Sequence, residues 1–201
     1  MLKVGLTGGL ASGKSLIGAK LQELGCHLIH ADELGHAAIA SDGEAYAAVV
    51  EEFGRGILKE DGTIDRRRLA ALAFETPYRL AKLNALVHPA VFRRQEQLLE
   101  RIAAEDPDGI AVVEAAIMIE SGSHARYQKL IVASCGERQQ IERAMHRDGM
   151  SLEEARARLH RQMPLAEKVK LADYVIDTSG TKEETFHQTE QVYQTLRRLS
   201  Q

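Results

Sequence analysis

The chain has 201 residues, of which 44% are hydrophobic and 27% charged, and its formal net charge at pH 7 is −3. This is the composition of an ordinary globular protein, and it lacks the polyelectrolyte character that would suggest a nucleic-acid partner. No apolar run approaches the about 20 residues of a membrane-spanning helix, and the chain begins on a predicted strand instead of a signal peptide, so we expect a cytoplasmic protein without a membrane partner.

The first predicted strand, 2–6, leads into a glycine-rich loop that matches the pattern G-x-x-x-x-G-K-[ST]. This pattern is the phosphate-binding P-loop, and the helix predicted over 15–24 supplies the strand-loop-helix context that it requires. Glycines allow backbone N–H groups to approach a polyphosphate closely, the lysine supplies a charge for the β- and γ-phosphates, and the serine hydroxyl is a ligand for Mg²⁺. The residues predicted to bind a nucleoside triphosphate are Gly8, Gly9, Leu10, Ala11, Ser12, Gly13, Lys14, Ser15 and Leu16.

The second predicted strand, 26–31, is followed directly by Asp32. The carboxyl ends of parallel strands meet at one edge of a sheet, which is the edge of the P-loop and the place where ligands bind. Asp32 is therefore predicted to accept a hydrogen bond or proton from an attacking hydroxyl, or to reach the Mg²⁺ shell. The alternative is an N-cap for a helix over 33–40, and the spacing does not choose between them.

From 41 to 108 the pattern is wholly helical, which predicts an insertion that holds the second substrate. Helices are predicted over 44–53, from about 65, over 77–87 and over 89–104, with a break between the last two at His88-Pro89. By itself His88 is typical of a hinge. Three consecutive arginines, 66–68, cannot all converge on one anion, because successive helical residues point about 100° apart.

A third strand, 110–113, ends in Glu114, where a carboxylate can hold Mg²⁺ through water, and Glu120 is a weaker candidate. Both are equally compatible with ordinary polar residues at a strand end. A fourth strand is predicted over 129–133 and a fifth over 173–177, followed by a terminal helix that runs to 199. The predicted fold is α/β, a five-stranded parallel sheet of the P-loop NTPase type with helices on both faces.

Between the last two strands, a helix from 137 carries Arg143 and Arg147 on one face. A capping box, Ser151 with Glu154, begins a second arginine-rich helix. We interpret the pair as a lid whose arginines stabilise a transferring phosphoryl group and exclude water. The alternative is an amphipathic hairpin whose arginines pair with neighbouring glutamates. The predicted organisation is a nucleotide-binding core of 1–40, 109–137 and 172–201, a helical substrate insertion of 41–108 and a lid of 138–171.

These stretches together resemble the dephospho-CoA kinase family over essentially the whole chain. The matching motifs are the P-loop with its preceding Gly5-Leu6-Thr7, Ala31-Asp32, Asp61-Gly62 with Asp65-Arg66 and Leu69, His88-Pro89-Ala90-Val91, Gln140 with Arg143, Arg147-Asp148-Gly149, Gln162, Glu167-Lys168 and Ala172-Asp173-Tyr174-Val175-Ile176. Three positions differ from the family pattern. Ala116 to Glu120 stands in place of Pro-Leu-Leu-Phe-Glu, Thr178 in place of a common asparagine, and Leu16 in place of a threonine.

The resemblance implies transfer of the γ-phosphoryl group of Mg²⁺-ATP to the ribose 3′-hydroxyl of dephospho-CoA, the last step of CoA synthesis. It implies that Asp32 is the base or hydroxyl-orienting residue, and that Asp32 and Ser15 serve the Mg²⁺ ion. Lys14, Arg143 and Arg147 become the catalytic cations, and Arg66 and His88 join Asp32 in binding the substrate. We expect a monomer or weak homo-oligomer.

Two alternatives remain at this stage. A kinase with another acceptor, such as a nucleoside monophosphate, would share the P-loop, insertion and lid. A nucleotide-dependent switch that catalyses no transfer would use guanine and carry N-K-x-D after a strand, and neither 134–137 nor 178–180 supplies that motif.

Overall fold

The computed structural model of the protein describes all 201 residues, which form two compact units. One unit comprises Met1–His30 together with Arg101–Gln201, and the other comprises Ala31–Glu100. The predicted core, insertion and lid are divided by role, and that division stays a prediction. None of the helices combines the length with the apolar character that crossing a bilayer demands.

The first unit is built on a five-stranded sheet in the order β2-β3-β1-β4-β5. Every neighbouring pair in it is parallel, which confirms the predicted fold class. The strands are β1 (Leu2–Gly8), β2 (His27–His30), β3 (Ile110–Glu114), β4 (Lys129–Ser134) and β5 (Tyr174–Asp177). Because β1 lies at the centre and is almost wholly buried, the loop that follows it emerges from the middle of the sheet.

The helices are α1 (Lys14–Glu23), α2 (Ala31–Ala38), α3 (Tyr46–Phe53), α4 (Arg66–Ala73), α5 (Pro77–Glu105), α6 (Glu137–Asp148), α7 (Leu152–His160), α8 (Leu165–Val169) and α9 (Lys182–Leu199). The core of the first unit is aliphatic: Leu6 of β1, Ile17 of α1 and Leu196 of α9 are all fully buried in it. Ser151 and Thr181 are the N-caps of α7 and α9, and each forms a capping box that pairs its own N–H and that of the third helical residue.

The second unit has its own apolar core, and one prediction about it is wrong. Pro89 does not separate two helices but lies inside the continuous helix α5. The residue whose carbonyl would accept the missing N–H, Ala85, is exposed to water, as is Pro89 itself. Ala90 and Val91 pack into the same core as the residues before the proline. Burial on both sides of Pro89 therefore outweighs the loss of one hydrogen bond.

Candidate active site

The glycines of the P-loop are required by close neighbours. A Cβ atom on Gly9 would lie 2.0 Å from Nε2 of Gln140, whose buried side chain donates a 3.0 Å hydrogen bond to the carbonyl of Leu10. Gly13 has φ of +85°, and a Cβ atom there would lie 3.0 Å from Cγ2 of Thr178. Larger residues would therefore push the loop away from α6 and from the loop after β5.

Thr178 connects the P-loop to α6. Its hydroxyl lies 2.9 Å from the carbonyl oxygen of Ser12 and 3.2 Å from that of Ser134, and it can donate to one of them at a time. Arg143 donates from Nη1 to this hydroxyl over 3.3 Å and from Nη2 to the main-chain oxygen of Thr178 over 2.7 Å. The position that departs from the family pattern is thus a buried link between Arg143 and the loop backbone.

The first turn of α1 presents the two polar residues that the motif predicts. Lys14 donates from Nζ to the carbonyl of Gly9 over 3.4 Å, so its ammonium group lies against the loop. Ser15 donates from Oγ to Oε1 of Glu114, at the end of β3, over 2.9 Å. Helix α1 begins at Lys14, after a glycine in the left-handed conformation, so its first N–H groups open toward the loop.

Glu114 is a buried carboxylate with one oxygen on the serine and the other without a hydrogen bond. Its second oxygen, Oε2, lies 3.3 Å from Nδ1 of His30, the last residue of β2. The structure therefore brings Ser15, Glu114 and His30 together at the carboxyl ends of β2 and β3. The sequence made Glu114 a candidate for Mg²⁺ but gave His30 no role. In the parallel pairing of β2 with β3, His30 lies next to Glu114, and this register places the two side chains together.

Glu120, the weaker Mg²⁺ candidate, has other partners. Its Oε1 accepts a 3.0 Å hydrogen bond from the backbone N–H of Met163 and lies 2.8 Å from Nζ of Lys168. Lys168 is fully buried, a property that sequence reasoning missed. The only signal in the sequence is its place in α8, one residue before Val169 and three after Leu165, which are both partly buried.

The two arginines of the predicted lid have different surroundings although they project from the same helix. Arg147 forms two hydrogen bonds with Asp148, of 2.7 and 2.9 Å, and this contact lowers the pKa of that carboxyl. Arg143 contacts Thr178, as described above. The pairing of arginine with glutamate that the hairpin alternative predicts is found at Arg138 and Glu142, over 2.7 Å, and at neither lid arginine.

Asp32 lies in the second unit, in the first turn of α2. The alternative, an N-cap for a helix over 33–40, is wrong, because the helix begins one residue before Asp32, at Ala31. The side chain is exposed, which leaves its carboxylate accessible. His36 lies one turn further along α2, and its pKa is lowered mainly by desolvation. The positive charge of Arg66 lowers this pKa further, whereas the negative charge of Asp32 raises it. Asp32 and Arg66 therefore act on the same imidazole.

The other predicted substrate residues lie in the second unit, Arg66 on the short helix α4 and His88 on the long helix α5. Arg66 is the exposed first residue of α4, whose N-cap, Asp65, accepts hydrogen bonds from the N–H groups of Arg67 and Arg68. His88 lies within α5, 5.6 Å between ring centroids from Phe92, and its burial lowers the pKa of the imidazole. His88 is thus a helical residue and not a hinge.

Comparison with known proteins gives consistent matches. A family model described as dephospho-CoA kinase matches residues 2–184. The chain is 40% identical over 198 residues to dephospho-CoA kinase of Aquifex aeolicus (strain VF5), covering 98% of this chain and 99% of that protein. It is 44% identical over 188 residues to dephospho-CoA kinase of Geobacillus kaustophilus (strain HTA426), covering 93% and 92%. The crystal structure of TT1252 from Thermus thermophilus is similar with a TM-score of 0.84 and 31% identity, over 97% of each chain.

Proposed function

This chain belongs to the dephospho-CoA kinase family and is an ATP-dependent phosphotransferase. We propose the following roles for its residues in that reaction. The reaction transfers the γ-phosphoryl group of ATP to the ribose 3′-hydroxyl of dephospho-CoA, giving CoA. The observation that carries the assignment of roles is the P-loop at the end of the central strand, held by Gln140 and Thr178. Family membership supports dephospho-CoA as the acceptor over a nucleoside monophosphate, and enzymatic transfer over a binding-only switch.

The P-loop residues from Gly8 to Leu16 bind the phosphates of ATP in this proposal. The backbone N–H groups of the loop and of the first turn of α1 donate to phosphate oxygens, and the positive end of the helix dipole favours the anion. Lys14 supplies a mobile positive charge for the β- and γ-phosphates. Its place against the loop backbone, on Gly9, supports this role.

Ser15 and neighbouring carboxylates would supply the oxygen ligands for Mg²⁺. Mg²⁺ prefers hard oxygen donors and keeps several waters, so a hydroxyl beside a carboxylate is a fitting set. Glu114 fits because it is buried, accepts from Ser15 and has one oxygen without a hydrogen bond. Asp32, at the start of α2, is also proposed as a ligand for Mg²⁺, on the resemblance to the family alone. When bound, the ion would neutralise charge on the β- and γ-phosphate oxygens.

Asp32 is proposed to orient the 3′-hydroxyl of the acceptor and to receive its proton. Phosphoryl transfer passes through a loose transition state that needs little help from a strong base, so orientation is the larger part of this role. The exposed carboxylate, two residues after the end of β2, supports the assignment. The same residue therefore contributes to substrate binding and to catalysis.

Four further side chains are proposed to act on the substrates. Arg143 and Arg147, on one face of α6, stabilise negative charge that develops on the transferring group. Arg66 binds an anionic group of dephospho-CoA, whose diphosphate suits a guanidinium, and His88 contacts the substrate as a neutral imidazole. The lowered pKa of His88 supports the neutral form at physiological pH.

The decisive experiment measures ADP release from Mg²⁺-ATP with dephospho-CoA, AMP, CMP and adenosine offered separately. We expect turnover with dephospho-CoA alone and a loss of at least about 100-fold in kcat for Asp32→Ala. Glu33→Ala, next in the same turn and also exposed, is the matched control and should keep its activity. Equal turnover with a nucleoside monophosphate would contradict the acceptor assignment, and an active Asp32→Ala variant would contradict the role of Asp32.

We also propose that the protein acts in the cytoplasm as a monomer or weak homo-oligomer, without nucleic acid. The modest net charge of −3 supports the last point. Light scattering at micromolar concentrations, with and without dephospho-CoA, measures the oligomeric state directly. A stable higher oligomer would contradict the proposal.

A further inference from the structure

Lys168 is a fully buried lysine next to the P-loop. It lies in the short helix α8 and has an exposed fraction of 0%. Burial of an ammonium group is strongly unfavourable unless its charge is paired and its hydrogen bonds are made. A lysine retained at such a position therefore requires specific partners, and the structure supplies them.

The ammonium group of Lys168 has three N–H donors and three acceptors. Nζ lies 3.2 Å from the carbonyl oxygen of Gly8, 3.0 Å from that of Ala116 and 2.8 Å from Oε1 of Glu120. Two of these acceptors are main-chain carbonyls, and the third balances the charge. The group is thus satisfied and held in one position, which distinguishes it from a solvated surface lysine.

The carbonyl of Gly8 matters because it belongs to the first peptide of the P-loop. In a trans peptide the C=O and the following N–H point in opposite directions. A lysine that holds the carbonyl of Gly8 on one side therefore directs the N–H of Gly9 to the other side. Both residues of this peptide are glycines, so neither has a side chain of its own that limits its dihedral angles.

We propose that Lys168 is a positioning residue that holds the Gly8–Gly9 peptide in the orientation needed for phosphate binding. It would not itself touch the nucleotide. The inference rests on the proposed binding of ATP by the P-loop and adds a residue more than 150 positions away in the chain. Its physical basis is a charge-assisted hydrogen bond to a carbonyl, which is stronger than a neutral one.

Glu120 has a different part in this arrangement. Its Oε1 atom accepts from Lys168 and from the N–H of Met163, in the loop between α7 and α8. Glu120 thus balances the charge of Lys168 and holds the loop between α7 and α8, but none of its hydrogen bonds reaches the P-loop. Loss of its charge should lower the stability of the fold without loosening the Gly8–Gly9 peptide.

The test compares ATP affinity and thermal stability in four variants of the full chain. Lys168→Met keeps the length of the side chain and removes its charge and its donors. Lys170→Met is the matched control, because Lys170 is exposed and contacts only the carboxylate of Glu167, over 2.7 and 2.9 Å. Glu120→Gln keeps an acceptor and removes the negative charge, and Lys168→Arg keeps the positive charge in a larger, planar group. Calorimetry with ATP measures the dissociation constant below the melting temperature of each variant.

For Lys168→Met we expect a dissociation constant for ATP about tenfold higher than that of the parent, and for Lys170→Met an unchanged one. Glu120→Gln should melt at a lower temperature while its ATP affinity stays within about twofold of the parent. In turnover assays, the apparent KM for ATP should rise for Lys168→Met more than kcat falls, as expected for loss of a preformed binding site.

A folded Lys168→Met variant with parental ATP affinity would overturn the proposal, since Lys168 would then be purely structural. Equal loss of affinity in Glu120→Gln would also overturn it. If Lys168→Met does not fold, Lys168→Arg is the deciding variant. Its guanidinium group cannot reproduce all three contacts, so we expect ATP to bind at least about threefold more weakly. An unchanged affinity for ATP would contradict the role of Lys168. A parent chain that bound no ATP would instead overturn the proposed function.

Discussion

Ser15 Oγ donates a 2.9 Å hydrogen bond to Oε1 of Glu114, joining the first turn of α1 to the end of β3. The bond orients the hydroxyl of a P-loop serine with a carboxylate that comes from nearly a hundred residues further along the chain. Oε2 of the same carboxylate lies 3.3 Å from His30 Nδ1, at the end of β2. Helix α1 and strand β2 thus both contact the buried carboxylate at the end of β3.

Replacement of Glu114 should change the Mg²⁺ requirement of the enzyme. In Glu114→Gln the amide oxygen can still accept from Ser15, but the negative charge is gone, so we expect the apparent Mg²⁺ constant at fixed ATP to rise about tenfold. Glu114→Ala should be worse and should also lose stability. Direct Mn²⁺ binding in the presence of ATP provides a readout independent of turnover. Glu23→Gln, exposed at the end of α1, is the control, and an unchanged Mg²⁺ constant in Glu114→Gln would contradict the role.

Gly9→Ala should weaken ATP binding through Gln140. The new methyl group would lie 2.0 Å from Nε2 of a buried side chain, so either Gln140 or the loop must move. We expect at least about tenfold weaker binding of ATP, and partial recovery in the double variant Gly9→Ala/Gln140→Ala, where the obstacle is removed. Gly136→Ala is the control, because the nearest atom to its Cβ would be 3.9 Å away. Strictly additive effects in the double variant would show that the clash is not the cause.

Pro89→Ala should raise the free energy of unfolding, because α5 is continuous through this position. Alanine restores an N–H group that can donate to the carbonyl of Ala85 and has the higher helix propensity. Both positions are exposed, so water already satisfies part of that carbonyl, and we expect a gain of about 1 kcal/mol. Urea denaturation monitored by circular dichroism measures it. A loss of stability would indicate that the proline is needed for the packing of Ala90 and Val91.

Cys26 should make stability fall at alkaline pH. Burial raises the pKa of its thiol from 9.0 to about 12. A folded-state pKa above the unfolded value favours the folded protein fully below about pH 9, and this contribution is lost as pH rises from about 9 toward about 12. In Cys26→Ala the slope of unfolding free energy against pH between 9 and 11 should be shallower by about 1.4 kcal/mol per pH unit. Identical slopes in parent and variant would contradict the raised pKa.

Much of the sheet and the loop could be predicted because their determinants are local. Continuous apolar runs of about five residues predict buried parallel strands, and the P-loop pattern specifies its own strand and helix. The capping boxes at Ser151 and Thr181 likewise depend on residues three positions apart. These features need no knowledge of distant parts of the chain.

The continuity of α5 through Pro89 and the position of Asp32 within α2 were decided by tertiary structure. Local rules favour a helix break before proline, but α5 continues through Pro89 because apolar residues on both sides of it are buried. Local rules also favour an N-cap at aspartate, but α2 begins directly where β2 ends, one residue before Asp32. Where two local preferences compete, packing in the core decides between them.

The sequence by itself determined the P-loop, the parallel sheet and the family, since each depends on patterns of neighbouring residues. Only the tertiary structure decided which side chains support the loop: Gln140, Thr178 and Lys168 reach it from 130 or more positions away. The physical reason is that a buried polar group must find partners wherever the fold brings them. The charge of Lys168 argues against a place in the core, and the three acceptors around its ammonium group explain its burial.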